Sequence, residues 1–151
     1  PQQAGDLVWQ AGLIGRDAAG RPSGWAAQDP LRLQALGDER IFLVGDLLGP
    51  ASPLFGHYPK SGHLAAHLGR IAAAEITARA RGGTAQRLLP ESRCFVTSRL
   101  EPGETLRIDT GYRLRGDGLI VQTTQQHIEH NPRGEDVEWA KGMYRELFGH
   151  P

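Results

Sequence analysis

Cysteine is almost missing from this chain. Cys94 stands alone among 151 residues, so no disulfide can close within the chain. Without further context it is a buried small hydrophobe, a reactive thiol, or half of a bond whose partner lies elsewhere. Long apolar runs are also missing, and none approaches the roughly 18 residues of a membrane span. Neither sign of charge is in excess. Seventeen Lys and Arg residues balance seventeen Asp and Glu residues, which leaves no whole-protein field to draw in nucleic acid or an anionic membrane. The sequence holds no G-x-G-x-x-G, no P-loop, no G-x-S-x-G and no C-x-x-C. A nucleotide pyrophosphate therefore has no visible seat, and the chain taken alone is not a complete dinucleotide-binding unit. No Met opens it. Beginning at Pro1, it reads as an excised fragment, so a missing targeting segment says nothing about the parent's location.

What is present belongs to a globular protein, with 39% hydrophobic and 23% charged residues. The length suits one domain, or one and a part. The stretch from Arg40 to Gly83 organises the rest. Ile41, Phe42, Leu43 and Val44 form a continuous apolar run, the pattern of a strand buried on both faces of a parallel sheet. Gly45-Asp46 ends that run and places a carboxylate at the strand's carboxyl end, the edge at which open α/β sheets bind ligands. A Gly/Pro/Ser-rich loop leads to Pro59-Lys60-Ser61-Gly62 and a long helical pattern. Ser61 is its N-cap and Gly82-Gly83 its stop. Leu64, Leu68, Ile71, Ala72 and Ile76 share one face.

The flanks are plainer. Residues 1–39 open on an apolar stretch interrupted by glycine and then a turn cluster; the WAAQDPLRLQAL stretch that follows reads as strand and loop, since Pro30 and Gly37 preclude a long helix there. Beyond Gly83 the alanine-rich pattern gives way to β-like pieces: Arg93–Leu100, then Thr105–Arg115, with Leu106, Ile108, Thr110, Tyr112 and Leu114 on one parity. Gly116-Asp117-Gly118 turns the chain into a return strand, Leu119–Thr124. After Pro132 a closing helix spans roughly Glu135–Phe148, with Val137, Ala140, Tyr144 and Leu147 on one face and acidic residues in its first turn. Three short strands make a thin core, so this half needs cover from the first half or from another subunit.

The chemistry follows from the same stretch. The Asp46 carboxylate can accept hydrogen bonds from the hydroxyls of a ribose or ribityl chain. The helix start at Ser61 and Gly62 offers N–H donors and about half a unit of positive charge, and Lys60 adds a cation beside it. His57, His63 and His67 suggest a metal cluster only superficially, because no Glu accompanies the i, i+4 pair in the metalloprotease spacing. Arg93 next to Cys94 would stabilise a thiolate, whereas Phe95 and Val96 would bury the sulfur.

In that order these features resemble the C-terminal part of the flavoprotein subunit of flavocytochrome c sulfide dehydrogenase, a pyridine nucleotide-disulfide oxidoreductase-like flavoprotein. The resemblance spans essentially the whole chain. PQQAG (Pro1–Gly5) is similar to the segment returning to the FAD domain, and IFLVGD (Ile41–Asp46) to the strand whose Gly-Asp holds the FAD ribityl chain. PKSG (Pro59–Gly62) resembles the segment beside the flavin, RCFV (Arg93–Val96) the site of a family cysteine, and AKGMYRELFG (Ala140–Gly149) the closing helix. Ala66, His67, Arg70 and Met143 depart from the family pattern, and residues 97–111 match it poorly.

The resemblance implies an α+β fragment. Residues 1–88 form the end of a Rossmann-like FAD-binding domain, a buried strand plus a long helix. Residues 89–151 form a small antiparallel sheet with a C-terminal helix. It implies FAD as cofactor, held by Gly45, Asp46, Lys60, Ser61 and Gly62, and no metal. Cys94 is the implied catalytic residue, half of a redox disulfide that hydrosulfide attacks. Electrons then pass through FAD to a cytochrome c subunit or another acceptor. A periplasmic parent, a possible homodimer and no nucleic-acid partner complete the expectation, with the fragment alone inactive. The alternatives are a sulfide:quinone reductase-like flavoprotein and a non-catalytic dimerisation or cytochrome-docking module.

Overall fold

Ser61 converts an extended loop into the longest helix of the protein. The computed structural model describes residues 3–149. In chain order these form α1 (Asp6–Gln10), β1 (Ile14–Arg16), β2 (Pro22–Ala26), β3 (Gln34–Ala35), β4 (Asp38–Phe42), a 3-10 turn (Gly45–Leu47), α2 (Gly62–Ala80), β5 (Glu91–Arg99), β6 (Glu104–Leu114), β7 (Ile120–His130) and α3 (Glu135–Phe148). The fold is α+β: β1 pairs with β2, β3 with β4, and β5, β6 and β7 form a three-stranded antiparallel sheet. Packing divides the chain into two units. The first is Pro1–Pro90 with Tyr112–Gln122, and the second is Glu91–Gly111 with Thr123–Pro151.

In the first unit, α2 is the central support. The Ser61 side chain accepts a hydrogen bond from the Leu64 N–H at 3.3 Å, satisfying one of the donors that a helix start leaves open. At the far end Gly82 takes a positive φ of 71°. The Gly83 and Gly82 amides donate back to the Ala78 and Arg79 carbonyls, a Schellman closure that a residue with a side chain would strain. Leu64, Leu68 and Ala72 are buried, as their helical spacing requires. They pack with Leu33, Leu43, Leu48 and Tyr58 into one core. Truncating either leucine to Ala removes about 2–5 kcal/mol of stability. Ile76, expected on the same face, is instead 48% exposed, because the core ends before the helix does.

One further expectation needs correction. The Ile41–Val44 run is not a strand buried on both faces in a parallel pair. Strand β4 is antiparallel to the two-residue β3, with Gln34 opposite Phe42, and Ile41 is 37% exposed. The apolar run straddles the strand end: Leu43 is buried and donates its N–H to the Leu33 carbonyl, outside the ladder. A short apolar run does not by itself distinguish a two-sided strand from a strand followed by a core-anchored corner. Residues 6–10, for which the sequence offered only an apolar stretch interrupted by glycine, form a single helical turn with Val8 buried.

In the second unit, Cys94 lies opposite Ile108, and Arg93 opposite Asp109. Strand β7 runs on to His130, six residues past the expected Thr124. Helix α3 occupies the expected span, between Gly134 and Gly149, both with positive φ. Its expected inward face is not buried: Val137, Tyr144 and Leu147 are all exposed. Trp139 makes the sheet contact instead, its ring 5.4 Å from that of Phe95.

Candidate functional site

The turn after β4 is held from several directions. Gly45 has φ +78°, and a Cβ there would lie 3.3 Å from the Ala65 Cβ, so glycine lets the turn settle directly on α2. Leu48 bridges in parallel to Ala26 at the end of β2. One residue on, the buried Gln28 amide accepts from the Gly49 N–H at 3.0 Å and donates to the Gly49 carbonyl at 3.1 Å. Gly49 has no room for a side chain, since a Cβ would stand 2.8 Å from the Ala26 carbonyl oxygen.

Lys60 closes the arrangement. Its Nζ donates to the Asp46 carbonyl at 2.8 Å and to the Leu48 carbonyl at 3.0 Å, and it lies 4.0 Å from the Trp25 ring centroid. Cation and ring at that distance attract one another. The Leu48 carbonyl also lies 3.3 Å from His57 Nδ1, and the His57 ring sits 5.2 Å from Trp25. Burial lowers the Lys60 pKa, opposed by the Asp46 negative charge. Burial lowers that of His57 as well, the Lys60 charge adding to the effect and the Leu48 hydrogen bond opposing it.

The expected cofactor residues thus fall in one place within the first unit. Gly45 and Asp46 form the turn, Lys60 ties it down, and Ser61 and Gly62 begin the helix against which it packs. The Asp46 carboxylate is partly open to solvent, and its charge bears on the Lys60 ammonium. The α2 tip beside this turn carries the positive end of a nineteen-residue helix. A half-open carboxylate next to an electropositive tip suits a ligand with hydroxyls at one point and an electron-rich edge at another.

Cys94 belongs to the second unit, on β5. It is exposed, and its sulfur lies 3.8 Å from the Phe95 carbonyl oxygen. Its flanks do neither of the things considered for them. Arg93 is ion-paired with Asp109, on the opposite side of the strand from Cys94, and Phe95 and Val96 do not bury the sulfur. Asp109 also meets Arg107 at 3.0 Å, and hydrogen bonding to Arg93 holds its carboxyl below the usual range. His63 and His67 place their rings 4.5 Å apart. Among the described residues no group of three or more His, Cys, Asp or Glu could hold a metal ion.

Trp25, Gln28 and His57 are parts of this site that the sequence did not point to as a set. Trp25 and Gln28 come from the β2 segment, far from Lys60 in the chain, and no spacing rule connects them. An open cleft of about 370 Å³ lies elsewhere in the first unit, lined by Pro30, Pro50, Ser52, Pro53, Leu119 and Ile120, with no charged group to orient a ligand. No helix of the described residues is long and apolar enough to cross a membrane. No protein-family model matches the chain, and no curated protein matches it.

Proposed function

We propose that the chain is part of a FAD-dependent sulfide dehydrogenase-like oxidoreductase. The observation that carries this reading is the seating of the Gly45–Leu47 turn beside the start of α2, with the Asp46 carboxylate partly exposed to solvent. Asp46 would accept from a ribityl hydroxyl, and the Ser61–Gly62 helix start would offer its N–H donors and positive end to an electron-rich group. FAD, when bound, supplies two-electron acceptance, and a positive helix end favours the form that carries more negative charge. Cys94 is half of a redox disulfide whose partner lies in the rest of the parent, and its exposure leaves the sulfur open to hydrosulfide. A cytochrome c subunit or another acceptor takes the electrons onward, in a periplasmic setting. The pyrophosphate has no seat in this sequence, so the isolated chain is inactive in this reading.

The test is a flavin spectrum of the complete protein before and after sulfide is added. Bleaching of the flavin band in the parent, its loss in Cys94→Ser with flavin retained, and loss of flavin in Asp46→Ala are the expected results. A parent that carries no flavin sinks the proposal. A Cys94→Ser variant that bleaches as the parent does removes Cys94 from the chemistry. One observation favours the docking-module alternative: α3 has no buried residue and exposes Val137, Tyr144, Leu147 and Phe148.

A further inference from the structure

We infer that Lys60 is a positioning residue. It latches the Asp46 turn to the tip of α2 and thereby fixes where the Asp46 carboxylate sits for a hydroxyl-bearing ligand, without meeting that ligand itself. The inference rests on the flavin reading above and gives Lys60 a different task from the cationic contact that the sequence suggests.

The Lys60 ammonium group has three N–H bonds and no acceptor. Two of them go to the Asp46 and Leu48 carbonyls, 2.8 and 3.0 Å away. The Trp25 ring, 4.0 Å off, covers a further side. A cation so surrounded has little left to offer a ligand. Its position in the chain matters as much. The next residue, Ser61, is the N-cap of α2, so the latch and the helix tip are joined by one peptide unit. The other restraints act on either side of Asp46: Gly45 rests on Ala65, Leu48 bridges to Ala26, and Gly49 is paired with Gln28. Among the described residues, Lys60 alone supplies a hydrogen bond to Asp46 itself. Met, similar in length but without N–H donors, would leave both carbonyls without this partner.

The test uses Lys60→Met, Asp46→Asn and the double variant in the complete protein, with FAD as the titrated probe and hydrogen exchange as a second readout. Lys60→Met is expected to speed exchange at the Leu48 amide, which closes the turn onto Gly45, and to change Trp25 emission. FAD affinity is expected to fall about tenfold, in line with a charge-assisted hydrogen bond. Because Lys60 acts through Asp46, the double variant should bind FAD no more weakly than Asp46→Asn alone. Losses that multiply in the double variant overturn the inference, since Lys60 would then reach the ligand independently. Unchanged Leu48 exchange in Lys60→Met overturns it too. If Asp46→Asn leaves FAD affinity untouched, the flavin reading fails, and the exchange result still decides whether the latch exists.

Discussion

Tyr58 and Tyr112 meet edge to face, ring centroids 4.8 Å apart, and neither buried hydroxyl has a hydrogen-bond partner among the described residues. Phe55 completes the cluster, 5.8 Å from Tyr58 and 5.3 Å from Tyr112. Burial pushes the Tyr112 phenol up to about 12. Burial, then the neighbouring Tyr112, pushes Tyr58 upward as well. Aromatic packing surrounds two hydroxyls that find no protein partner among the described residues.

Removing such a hydroxyl should therefore not weaken the fold. Tyr58→Phe is expected to leave stability unchanged or to raise it by about 1 kcal/mol, since an unpaired buried hydroxyl costs about 1–3 kcal/mol. Urea denaturation measures this. A loss above about 1 kcal/mol would mean that the hydroxyl has a partner, such as an enclosed water.

Ser61→Ala removes the acceptor for the Leu64 amide and should cost about 1 kcal/mol. Ser61→Asp should recover that loss, because its carboxylate both caps the helix and complements its positive end. Thermal midpoints of the three proteins, compared at low and high salt, check both halves of the statement.

Two neighbouring glycines should respond differently. Gly45→Ala forces a side chain into the left-handed region and to 3.3 Å from Ala65, which should cost about 1–2 kcal/mol. Gly62→Ala meets nothing within 4 Å and should change stability by no more than about 0.5 kcal/mol. Equal losses at the two positions would contradict this packing of the turn on α2.

The lowered pKa of His57 carries a sign. The unfolded chain takes up the proton before the folded protein does, so protonation favours unfolding. Stability should fall as the pH drops from 6.5, the ordinary value, through the lowered folded value, and level off below it. His57→Gln should flatten this part of the profile. A wild-type slope that persists in the variant would assign it to other groups.

How far the sequence disclosed this structure depended on whether a signal was local. Ser61 and Gly82-Gly83 bracket α2, and Pro132 with an acidic first turn announces α3, so both helices were legible. The meander was legible from Gly116-Asp117-Gly118, but β7 was read short because Gln122 to His127 carry no apolar residue. Strand β4 was misread because Leu43 is buried by a corner rather than by a second sheet face. The closeness of Asp46 to the α2 start was legible, because a Gly/Pro/Ser-rich loop joins a strand end to a capped helix. The destination of the Lys60 ammonium was not. It depends on Trp25 and on two backbone carbonyls, which only tertiary folding brings together.

In the three-stranded sheet β5 and β7 are the outer strands. Along β7, IVQTTQQHIEH, Glu129 is the only carboxylate, and neither proline nor lysine interrupts the ladder. Backbone groups on such a rim can accept another extended chain without new side-chain complementarity. Crowding many copies together therefore favours strand-by-strand accretion, and one lysine at mid-strand would be enough to discourage it.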